Sequence, residues 1–80
     1  MKTTDFVEEQ PFQLRAYRKQ DLALLYFPEE TKYSATRNLR RWIVQCPDLN
    51  VKMMQAGYNV KRKFYSRREV ELIVEYLGLP

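Results

Sequence analysis

The chain contains no histidine, one cysteine and two glycines in 80 residues. Without histidine it lacks the commonest general base and the commonest metal ligand. A single cysteine, Cys46, allows no internal disulfide, the staple that small extracellular domains usually need. A reducing cytoplasm is therefore the expected compartment. One Cys with no His gives neither a thiol-protease pair nor a zinc site, and Cys46 has no second Cys to resolve an oxidised form. No apolar run approaches the ~18 residues needed to cross a bilayer, so no membrane association is expected. The start, Met1 to Asp5 followed by Glu8 and Glu9, has no signal-like apolar core. Glu69, Glu71 and Glu75 make no catalytic set, since Glu69 serves as a helix cap and the other two lie on that helix's outer side. Neither catalysis nor a cofactor nor a metal is expected.

What is present points to a folded domain: 45% of residues are hydrophobic and 30% are charged. The net charge is +4, but its distribution is uneven. Residues 1–31 carry four basic and six acidic side chains. Residues 32–68 carry ten basic and one acidic, Asp48. Residues 69–80 carry only three glutamates. A middle segment this basic between acidic flanks suggests a surface for a polyanion. The alternative is a merely solvated Lys/Arg face, but ordinary surfaces intersperse the two signs.

Residues 1–10 read as a flexible leader and residues 11–80 as a single domain. Phe12 to Tyr17 alternates, which predicts a short strand or an extended arm laid on the core. Arg18 to Phe27 reads as a first helix, stopped by Pro28, followed by a loop through Tyr33. Ser34 is the expected N-cap of a second helix, with Ala35, Leu39, Trp42 and Ile43 on one stripe and Arg37, Asn38, Arg40 and Arg41 on the other positions. Pro47 ends or interrupts that helix. Asp48 is the expected cap of a short third helix from Leu49 to Ala56, with Gly57 as its C′ residue. Tyr58 to Tyr65 shows a two-residue period around Lys61, Arg62 and Lys63, which predicts a basic hairpin with Tyr58, Val60 and Phe64 on one side. Ser66-Arg67-Arg68-Glu69 is a capping box opening a last helix whose stripe is Val70, Ile73, Val74 and Leu77. One core is expected from Leu22, Leu25, Leu39, Trp42, Ile43, Phe64, Val70, Ile73, Val74 and Leu77, with Trp42 as its anchor. The fold class is therefore mainly α: a compact winged helix-turn-helix-like domain of three to four helices with a small β-hairpin.

A first helix followed by a second, Arg-rich helix suits a helix-turn-helix. Arg and Lys neutralise phosphates and release counterions. Arg also binds a guanine edge through two donors, and Asn does the same for adenine. The run Thr36-Arg37-Asn38-Leu39-Arg40-Arg41-Trp42 resembles the second helix of the MerR-like winged helix-turn-helix superfamily. Gly57-Tyr58, the basic residues and Tyr65-Ser66-Arg67-Arg68-Glu69-Val70 are similar to that family's wing and following helix. From Leu14 onward the chain also resembles an uncharacterised family of short proteins from Bacteroidales. That likeness is carried by Ala16-Tyr17, Leu22 to Pro28, Arg41-Trp42-Ile43 and Val74 to Gly78. The MerR-like resemblance implies DNA binding in transcription regulation.

The expected function is thus a bacterial regulatory or accessory protein that binds nucleic acid, duplex DNA first. Arg37, Asn38, Arg40, Arg41, Lys61, Arg62 and Lys63 are its candidate contacts. The alternative is a protein-interaction module whose basic face meets an acidic partner. A structural subunit of a larger assembly ranks third, and an enzyme last. The sequence sets no oligomeric state.

Overall fold

The computed structural model describes residues 12–80; the leader assigned to residues 1–10 lies outside them. The architecture is mainly helical. Strand β1 (Tyr17–Arg18) leads into helix α1 (Lys19–Tyr26), followed by α2 (Lys32–Gln45), α3 (Pro47–Gln55), strand β2 (Phe64–Tyr65) and α4 (Arg67–Leu77). The strands pair antiparallel, Tyr17 with Tyr65 and Arg18 with Phe64. The expected pairing within residues 58–65 does not form, because β2 takes its partner from the segment before α1. Residues 12–16 form no strand; Phe12 stacks on Tyr17 with ring centroids 5.5 Å apart, which makes this stretch an arm on the core.

Local chemistry sets the element ends. Helix α2 starts two residues before the expected cap. Thr31 takes the N-cap position and its hydroxyl accepts from the Ser34 N–H at 3.1 Å, leaving Ser34 inside the first turn. Tyr33 therefore lies on a helix and not in a loop. Helix α3 starts at Pro47, whose missing N–H and fixed φ suit a first helical position, so Asp48 sits in the first turn instead of capping it. Its end is a Schellman motif: the Tyr58 N–H donates to the Met53 carbonyl and the Gly57 N–H to that of Met54. Gly57 holds φ +91°, a left-handed conformation that a side chain would strain. The capping box on α4 is as expected: the Glu69 N–H donates to Ser66 Oγ at 3.2 Å and the Ser66 N–H to Glu69 Oε1 at 2.7 Å.

The core gathers Tyr17, Leu22, Ala23, Ala35, Leu39, Ile43, Leu49, Met53, Tyr65, Val70, Leu72 and Ile73. Three of the expected members are not in it. Trp42 is 42% exposed and packs one side against Phe27 and Tyr26, because the buried line of α2 runs through Ala35, Leu39 and Ile43 and leaves position 42 at its edge. Leu25 is exposed beyond the buried pair Leu22 and Ala23. Phe64 is 47% exposed while Tyr65 is 1% exposed, so the buried phase of β2 is the opposite of the expected one. Val74 and Leu77 are partly buried against the core, and Leu72 extends the buried face of α4 sideways. Cys46 is a half-buried corner residue between α2 and α3. Among the described residues, no helix is long and apolar enough to cross a membrane.

Candidate nucleic-acid interface

The β1–β2 pairing brings the segment after α3 back against the start of α1, and this builds the basic face. The Arg18 cap position of α1 offers no side-chain hydrogen bond. Instead the Lys19 N–H donates to the Lys63 carbonyl at 2.9 Å, and Lys19 Nζ donates to the Asn59 carbonyl at 2.8 Å. One residue thus holds the basic loop at two carbonyls. The loop has its own turn: the Arg62 N–H donates to the Asn59 carbonyl at 3.1 Å, and Asn59 Oδ1 accepts from the Lys61 N–H at 2.8 Å. That turn presents Lys61 outward between two backbone anchors.

Arg62 turns inward. Its Nη2 donates to both oxygens of Glu69, and its Nε to the Phe64 carbonyl at 3.1 Å. Glu69 is fully buried, so the helix cap on α4 is also the acid that fixes the basic loop. Lys19 shares this cluster. Its ammonium is pushed below its usual pKa, chiefly by burial and next by the Arg62 charge; Glu69 opposes the shift and Arg40 adds to it. Lys19 Nζ lies 4.6 Å from the Tyr58 ring centroid and 5.4 Å from that of Tyr65. Burial raises the pKa of both tyrosine hydroxyls, so they stay neutral at ordinary pH.

Two adjoining clefts mark where these elements meet. One, of about 300 Å³, lies between α2 and the loop and is lined by Tyr33, Arg37, Arg40 and Tyr58. The other, of about 320 Å³, is lined by Arg18, Gln20, Lys61, Arg62 and Lys63. Lys19, Thr36 and Val60 line both, so the clefts form one concave basic surface. A larger hollow of about 610 Å³ lies elsewhere, between the Phe12–Tyr17 arm, α1 and Leu79–Pro80. It includes Arg15 and Asp21 and none of the candidate contacts.

The seven sequence candidates divide on this geometry. Arg37, Arg40, Lys61 and Lys63 converge on the paired clefts, and all four are exposed. Arg62 lines the second cleft, but its guanidinium is engaged by Glu69 and Phe64. The Asn38 amide donates to Glu30 Oε1 at 2.6 Å, tying α2 to the α1–α2 loop, and Asn38 lines neither cleft. Arg41 is exposed and also lines neither. Among the described residues, no carboxylate lies within ion-pairing distance of Arg37, Arg40, Arg41, Lys61 or Lys63. Nor is there any group of three or more acidic or Cys side chains arranged to hold a metal ion.

Sequence reasoning missed Arg18 and Lys19, because the segment that contains them is acidic in total. It also missed Asn59, whose position two residues before Lys61 is a recognisable Asx-turn signal.

A family model described as a domain of unknown function (DUF4248) matches residues 13–80. No curated protein and no solved structure matches the chain.

Proposed function

The chain belongs to the DUF4248 family, a domain of unknown function, and we propose from its own surface that it is a small bacterial accessory or regulatory protein that binds duplex DNA through its basic face, without catalysis. The observation that carries this reading is the convergence of Arg18, Arg37, Arg40, Lys61 and Lys63 on one concave surface with no ion-pairing carboxylate among the described residues. Such a surface concentrates positive potential where a polyanion docks. On this reading α2 is the recognition helix, and the loop from Tyr58 to Lys63 is the wing of a winged helix-turn-helix. The likeness of residues 36–42 and 57–70 to MerR-like sequences supports that assignment. Arg37 and Arg40 face a groove, Lys61 and Lys63 meet flanking phosphates, and Arg62 holds the wing in place. Action in the cytoplasm on transcription is the corresponding setting.

The test is fluorescence anisotropy on labelled duplex DNA across a salt series. Wild type is expected to bind at low salt and to weaken linearly on a log–log plot as salt rises. Lys61→Ala and Lys63→Ala should each weaken binding to all sequences and reduce the salt slope by about one unit. Arg37→Ala or Arg40→Ala should cost about 1–3 kcal/mol and relax preference at one base position. Arg41→Ala should have the smallest effect of the exposed arginines. Absence of binding at low salt would overturn the reading and leave an acidic protein partner as the occupant of this face.

A further inference from the structure

We propose that the cleft between Tyr33 and Tyr58 takes up a single unpaired base, so that the protein prefers DNA carrying an extrahelical nucleotide over an intact duplex. The inference rests on the nucleic-acid reading above and adds which part of the polymer is held.

The first observation is the size of the site. About 300 Å³ is at the low end of clefts that enclose small ligands, which suits one flat ring system. The second is its aromatic walls. Tyr33 is 73% exposed, a large ring left in water at the mouth of the cleft. It stands on α2 one turn before Arg37. Tyr58, which lines the same cleft, is held by stacking on the buried Tyr65, with centroids 6.1 Å apart and planes 15° from parallel. Bases stack on such rings whatever their identity, because each has a π-face. The third is the placement of charge. The Arg37 guanidinium lies 5.4 Å from the Tyr33 ring centroid, and Arg40 lines the same cleft. Two cations without ion-pair partners among the described residues, beside an aromatic wall, match a nucleotide's base and its flanking phosphates together.

An intact duplex presents its phosphates and base edges but keeps its base faces stacked inside. In the duplex mode the basic residues meet phosphates and base edges, and the exposed Tyr33 ring is left with the Arg37 guanidinium as its neighbour. A nucleotide that is already unpaired costs least to draw out of the stack.

The test compares a fully paired duplex with the same duplex carrying one unpaired fluorescent adenine analogue, using wild type, Tyr33→Phe, Tyr33→Ala and Lys61→Ala. Wild type should bind the bulged duplex on the order of tenfold more tightly and quench the analogue by stacking. Tyr33→Phe should keep that preference, and Tyr33→Ala should remove it along with the quenching. Lys61→Ala should weaken binding to both duplexes and leave their ratio unchanged. Equal affinity of wild type for the two duplexes, with no quenching, would overturn this inference while the basic-face reading stands. A preference that survives Tyr33→Ala would also overturn it. Failure to bind either duplex would overturn both.

Discussion

Replacing Arg62 with alanine is expected to lower the unfolding free energy by about 3 kcal/mol, a large part of a small domain's stability. The reason is the partner left behind. Glu69 is fully buried, and with Arg62 gone the Ser66 N–H is the only group among the described residues that still donates to its carboxylate. Breaking a buried pair from one side costs about 3–5 kcal/mol, because the remaining charge is uncompensated. The lower end applies here, since the Arg62 side chain is 39% exposed and water can enter where it lay. Arg62→Lys should recover part of the loss, as an ammonium restores the charge but not the Nε bond to the Phe64 carbonyl. Urea denaturation of the three proteins checks this. Stability of Arg62→Ala within 1 kcal/mol of wild type would contradict the assignment of Arg62 to the fold, as judged against the typical effect of about 0.5 kcal/mol for surface substitutions.

Tyr65→Ala and Phe64→Ala should differ sharply although the residues are neighbours of similar size. Tyr65 fills the core between Tyr17 and Tyr58 and supplies a ring face to Lys19, so its truncation should cost about 3–5 kcal/mol. Phe64 points the other way, half in solvent, with the Arg18 guanidinium 5.6 Å from its ring centroid. Its loss should cost about 1 kcal/mol, of the order of one exposed cation–π contact and some apolar burial. Thermal or urea unfolding of the two variants reads out the register of β2 directly. The reverse order of effects would mean that the strand is flipped.

The part of the fold legible in the sequence is the part determined within a few residues. The capping box Ser66–Glu69 needs only its own four residues, and Gly57 announces the Schellman end of α3 through the backbone conformation that glycine tolerates. Val70 and Ile73 stand out because α4 runs over three turns. Strand β2 is only two residues long, too short for a period, so Phe64 and Tyr65 exchange roles without any sequence signal. Trp42 shows the same limit on a helix edge: its size suggests an anchor, but the neighbours that cover it, Tyr26 and Phe27, cover one side only.

The site was legible as a charge density and not as a surface. The excess of cations over residues 32–68 marked Arg37, Arg40, Lys61 and Lys63, which the fold brings together. Arg62 carries the same formal charge but meets an acid seven residues later, a contact that depends on how the loop folds onto α4. Arg18 and Lys19 join the face only because β1 pairs with β2, a link across more than forty residues that no local pattern records.

The most direct measurement of the basic-face account is a titration of isotope-labelled protein with a short DNA duplex at low salt, followed by backbone amide chemical shifts. The account predicts the largest perturbations at Arg18 to Gln20, at Tyr33, Thr36, Arg37 and Arg40, and at Tyr58 and Val60 to Lys63, all of which line the paired clefts. Shifts confined to the outer surfaces of α3 and α4, or none at any concentration reached, would contradict it.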